Sequence, residues 1–137
     1  SSTPKHLLKQ SIAQARQSID IAIYNFDEPT IAKSLKKANQ RGVHIRILID
    51  AKKATKTNVA NIIHQLMQAG IPVRLHTSEK MHLKMAIIDQ RTLVAGSFNY
   101  TNASVHENLE QLFKISNRKE AQKWTAVFNE LWRKNLK

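Results

Sequence analysis

Five polar positions in residues 81–104, MHLKMAIIDQRTLVAGSFNYTNAS, have types and spacing that could do chemistry. His82-x-Lys84 is followed after four residues by Asp89, and after six more by Gly96-Ser97-x-Asn99. An imidazole can attack or carry a proton near neutral pH. An ammonium, a hydroxyl and an amide beside it can stabilise negative charge as it builds. That set suits a tetrahedral anion such as a phosphodiester. His-x-Lys alone would be read as an incidental pair on a surface hairpin; five polar positions at this full spacing outweigh that reading.

The elements that must position these groups follow from hydrophobic periodicity. In a strand, successive side chains alternate between faces. Met81, Leu83, Met85 and Ile87 fall on one face, and His82, Lys84, Ala86 and Ile88 on the other. A strand apolar on both faces is normally covered on both, so a His-Lys pair at its start needs a partner or a task. A short turn, Asp89-Gln90-Arg91, leads to a second strand over 92–97. There Leu93, Ala95, Ser97 and Asn99 share a parity, which is expected to present Ser97 and Asn99 beside His82 and Lys84. Gly96 permits close approach of a ligand or backbone.

The rest of the chain supplies the scaffold. Residues 4–18 read as a helix, with Thr3 as cap and Leu8, Ile12, Ala15 and Ile19 as its stripe. Residues 19–26, IDIAIYNF, read as a buried strand. Asp27-Glu28-Pro29 opens a helix to Arg41, stopped by Gly42. A strand over 43–50, a basic loop over 51–57 and a helix over 58–69 closed by Gly70 follow. Then come a short strand at 72–75, the motif hairpin and a strand over 109–115. The last helix is opened by an Asn117/Glu120 capping box, with Ala121, Trp124, Phe128, Leu131 and Trp132 facing the core. Both tryptophans are expected in the core rather than as base-stacking groups. The order β-α-β-α-β, hairpin, strand, helix implies an α/β fold: a sandwich with a mixed central sheet flanked by helices on both faces.

The charge points to the partner. There are 22 Lys+Arg against 10 Asp+Glu, a formal net charge of +12, which favours a polyanion. Lys33, Lys36, Lys37 and Arg41 on the second helix read as a solvated face. Lys52, Lys53 and Lys56 in the basic loop are candidate nucleic-acid contacts, with solvation the equal alternative. The chain has no cysteine, which excludes thiol chemistry and disulfides. No apolar run approaches the length of a membrane span, so no stable membrane insertion is expected. The sequence starts Ser-Ser-Thr-Pro, which suggests a removed N-terminal segment and a periplasmic or otherwise extracytoplasmic location, with the cytoplasm as alternative.

The H-x-K-x4-D-x6-G-S-x-N pattern resembles the phospholipase D superfamily, and its length and single motif resemble the small bacterial Nuc-type endonucleases. The resemblance extends over IAIYNFDEPTIAKSLKKANQRGVHIRILID and ASVHENLEQLFKI, and so implies one catalytic domain over residues 1–137. It implies His82 as nucleophile forming a phosphohistidine, and a second His82 from another subunit as acid. Lys84 and Asn99 would be phosphoryl donors, with Ser97 assisting. It implies a glutamate that supports the histidine; Glu110 aligns best, with Glu107 the nearby rival. Asp89 and Gly96 would be structural within the motif. The implied enzyme is a metal-independent phosphodiesterase without cofactor, a homodimer with its site on the two-fold axis. Its substrate would be nucleic acid, DNA before RNA.

Two rival chemistries lack support. His6, His44, His64, His76 and His106 show no metal-ligand spacing, and no G-x-S-x-G occurs. A phospholipase D-type lipid hydrolase would use the same site and remains the alternative, followed by a non-catalytic DNA-binding module, against which the intact motif argues.

Overall fold

The structure, a computed structural model, describes residues 4–77, 84–96 and 112–135. Six strands form one sheet in the order β3-β2-β1-β4-β5-β6. They are β1 (Ser18–Ile23), β2 (His44–Asp50), β3 (Val73–His76), β4 (Met85–Ile88), β5 (Thr92–Gly96) and β6 (Leu112–Ser116). The first three pair in parallel, whereas β1–β4, β4–β5 and β5–β6 pair antiparallel, so the sheet is mixed. Helices α1 (Pro4–Gln14), α2 (Pro29–Gln40) and α3 (Thr57–Gln68) precede or connect the parallel strands, and α4 (Arg118–Lys134) closes the described chain.

Period-two alternation divides the sheet between two cores. Ile19, Ile21 and Ile23 of β1, Ile45, Ile47 and Ile49 of β2, Ala86 and Ile88 of β4 and Val94 of β5 join Leu8, Ile12, Ile31, Leu35, Val59 and Leu66 of α1, α2 and α3. Ala22, Leu48, Met85, Ile87 and Leu93 point the other way, onto Ala121 and Phe128 of α4. Trp124, Leu131 and Trp132 pack partly buried against this smaller core, as expected for core-facing tryptophans. Trp132 stacks on Phe128 and carries the Arg74 guanidinium 4.2 Å from its ring. Asn117 caps α4 by accepting from the Glu120 N–H.

The helix read over residues 4–18 stops at Gln14. The cause is long-range. The N–H groups of Arg16, Gln17 and Ser18 donate to the Asp89 carboxylate, and the Arg41 guanidinium donates to the carbonyls of Ile12 and Ala15. Ile19 accordingly belongs to β1. Arg41 is therefore a tie between α1 and α2 rather than part of a simply solvated face. The loop over 51–57 contains a 3-10 turn at Lys53–Thr55, and the strand read over 19–26 ends at Ile23, although Phe26 is buried.

Candidate functional site

Parallel strands β1, β2 and β3 all end at one edge of the sheet, and antiparallel β4 begins and β5 ends there. Beside β1 the topology switches, with β2 continuing the parallel set on one side and β4 opening the antiparallel set on the other. Crevices at such switch points, outside strand C-termini, are where open α/β sheets bind ligands.

The described ends of the motif meet at this edge. Met85 pairs with Ala22 of β1, so one further step of the same register sets Lys84 opposite Ile23. On the other side the Gly96 N–H donates to the Lys84 carbonyl at 3.2 Å. His82, Ser97, Asn99 and Glu110, with the rival Glu107, lie outside the described residues. Within the ladder, Met85 pairs with Ala95 and Ile87 with Leu93, all on the α4 side.

Asp89 sits at the far end of β4, with φ of 55°. Its carboxylate accepts from Arg16, Gln17 and Ser18 at 2.7–3.1 Å, and its own N–H donates to the Ser18 carbonyl at 2.7 Å. All these partners are backbone groups joining α1 to β1, so Asp89 fixes the scaffold at the end remote from Lys84.

The basic loop lies at the same edge as Lys84. Buried Asp50, at the end of β2, accepts from the N–H groups of Lys52 and Lys53 and so sets the turn. Lys53 Nζ lies 5.0 Å from the centre of the Tyr24 ring. A hydrogen bond from the neighbouring Lys53 ammonium, together with its charge, pulls the Lys56 pKa below the usual lysine range. Lys52 and Lys56 are exposed. Ammonium groups on one short loop favour an anion beside them.

Three further residues at this edge escaped sequence reasoning. Tyr24 receives Lys53, and Asp27 accepts from Asn58 at 2.7 Å, linking the β1–α2 loop to α3. Asn25 has a buried side-chain oxygen with no hydrogen-bond partner among the described residues. The signal was the switch from IDIAI to polar Tyr24-Asn25 at the strand end. His76 is held differently, its ring nitrogen 3.2 Å from the amide of Asn135 beyond α4.

Among the described residues no three His, Cys, Asp or Glu side chains cluster as metal ligands, and no helix is long and apolar enough to cross a membrane. A cavity of about 500 Å³ lies at the opposite edge, lined by Ser18, Asp20, His44, Arg46 and Pro72. Its Asp20–Arg46 pair is bidentate, at 2.8 and 3.0 Å, and serves to join β1, β2 and α4.

Residues 8–132 match the family profile described as "Cardiolipin synthase, PLD-like domain". The chain is 29% identical over 127 residues to human (Homo sapiens) mitochondrial cardiolipin hydrolase, covering 91% of this chain and 49% of that protein. It is 33% identical over 116 residues to a phospholipase D of Rickettsia prowazekii (strain Madrid E), covering 84% and 56%. The chain thus spans about half the length of these curated relatives. It is also similar to the crystal structure of Nuc from Salmonella typhimurium, a phospholipase D family member, with a TM-score of 0.93 and 31% identity, covering 96% of this chain and 88% of that one.

Proposed function

Because the chain belongs to the phospholipase D superfamily, in its Nuc-type branch, we propose that it is a metal-independent phosphodiesterase that cleaves nucleic acid. The observation that carries the reading is the arrangement of cations at one sheet edge. Lys84 enters there beside Gly96, and the basic loop with Lys52, Lys53 and Lys56 follows β2, two strands away. Ammonium groups gathered at one edge attract an anion, and the chain's charge of +12 extends the attraction beyond a single phosphate.

In this reading His82 attacks phosphorus and displaces the leaving oxygen, forming a phosphohistidine. A second histidine protonates the leaving oxygen, then activates water to release the product. Lys84 and Asn99 donate to the phosphoryl oxygens as charge builds, Ser97 assists, and Glu110 holds the His82 tautomer. The sequence has one His-x-Lys, so the second histidine is His82 of a partner subunit, brought face to face across a two-fold axis. The homodimer then contains one composite site.

A lipid substrate is the second reading. The curated relatives named above favour it, and so does the exposure of Phe113, at 57%, on β6 near the same edge. Incubating the pure protein with plasmid DNA, RNA, cardiolipin and phosphatidylcholine in EDTA separates the readings. Cleavage of nucleic acid in EDTA is expected. Turnover of lipid alone would replace the proposal, and activity that depends on added metal would remove the mechanism.

A further inference from the structure

Helices α1 and α2 lie side by side over the larger core, and neither contains a carboxylate. They carry Lys5, Lys9, Lys33 and Lys37, with Arg16 and Arg41 just beyond their ends; of the two acids that precede α2, Asp27 and Glu28, Glu28 is buried. Helix α4 differs: Glu120 and Glu130 interrupt its basic residues, and Glu130 pairs with Arg133 and Lys134. A face whose only task is solvation mixes its signs in this way. A surface of one sign is the footprint of a polyanion.

The two helices leave a groove of about 380 Å³ between them, lined by His6, Lys9, Gln10, Ser34, Lys37 and Arg41 among others. These positions recur at three- and four-residue spacing on each helix, so each forms a ridge along the groove. Both helices run from the catalytic edge toward the opposite one. Lys5 of α1 meets Glu28 at the start of α2, 3.7 Å apart, and Arg41 beyond the end of α2 holds the end of α1. The groove therefore leads away from the edge that carries Lys84. Membrane-lying helices need large apolar side chains beside their basic ones. The large apolar residues exposed among the described residues are Met67, Phe113, Ile115 and Val127, and none of them belongs to α1 or α2.

We propose that the α1–α2 groove is a second phosphate-binding track, which holds the sugar–phosphate backbone of a nucleic acid extending from the catalytic edge. This rests on the nucleic-acid reading above. The track gives the enzyme a grip on long substrates that a short diester cannot use.

The test compares Lys9→Gln/Lys37→Gln with its parent, both in a His82→Asn background so that DNA is not consumed. Arg41 is left in place because it ties the two helices together. For a duplex several turns long, log K should fall less steeply with log salt in the double variant, the slope shrinking by about 1.8 for two lost phosphate contacts. A Lys9→Arg/Lys37→Arg variant should keep the parent slope. Vesicles of phosphatidylcholine with cardiolipin should bind both proteins alike. A parent that binds duplex with a slope the double variant leaves unchanged overturns the groove and leaves the nucleic-acid reading standing. Loss of vesicle binding with an unchanged duplex slope overturns it in favour of a membrane contact. A parent that binds no duplex overturns both.

Discussion

Replacing Asp89 tests whether the acidic residue of the motif is structural. Its carboxylate accepts three backbone N–H groups, from Arg16, Gln17 and Ser18. Hydrogen bonds to a charged acceptor contribute about 1.5–3 kcal/mol each when they are buried. The Arg16 and Gln17 contacts are exposed and those N–H groups can turn to water, so the loss in Asp89→Gly should total about 2–4 kcal/mol rather than the full sum. Asp89 also has φ of 55°, where alanine adds about 1 kcal/mol of strain that glycine avoids. Asp89→Asn keeps one acceptor oxygen and tolerates this φ, and should lose about 1–2 kcal/mol. The expected order of destabilisation is therefore Asn, then Gly, then Ala. Urea unfolding followed by tryptophan fluorescence, with m values unchanged, reads it directly. Asparagine as harmful as alanine would refute the hydrogen-bond argument, and glycine as harmful as alanine would refute the strain argument. Below the unfolding transition kcat should hardly change in Asp89→Asn. A folded Asp89→Asn protein with kcat reduced by orders of magnitude would give Asp89 a chemical role instead.

Arg46→Ala leaves the buried Asp20 carboxylate without its bidentate partner and removes the guanidinium from the Phe128 face, so unfolding free energy should drop by about 3–5 kcal/mol. A loss under about 1 kcal/mol in urea titration would mean Asp20 finds another partner. Because the folded pKa of Lys56 is depressed, its charged form costs stability below that pKa, and the cost is relieved as pH rises through it toward the ordinary lysine value. Lys56→Gln should therefore be at least as stable as wild type at neutral pH, with the advantage vanishing in alkali, while it binds DNA less tightly. A urea midpoint lower than wild type at neutral pH would contradict this. Mixing His82→Asn subunits with wild type should make activity fall faster than the wild-type fraction. A strictly proportional fall, or full activity in a protein monomeric by sedimentation, would contradict the composite site.

The scaffold was legible where local pattern decides structure. The runs IDIAI and IRILID announced their strands, Pro29 and Gly42 bracketed α2, and Asn117 with Glu120 marked the start of α4. It failed where distant groups decide. Nothing near Gln14 shows that Asp89, more than seventy residues away, takes the next N–H groups and ends α1. Tyr24 and Asn25 were missed because their significance lies in standing at the end of β1, beside the turn that Asp50 sets.

Trapping the covalent intermediate tests the central claim most directly. Wild-type protein mixed with end-labelled DNA in EDTA and quenched in alkali, where phosphohistidine survives, should yield a protein–DNA adduct whose peptide map places the label on His82, and His82→Asn should yield none. Cleavage of DNA with no adduct at any quench time, or an adduct on another residue, would contradict the account.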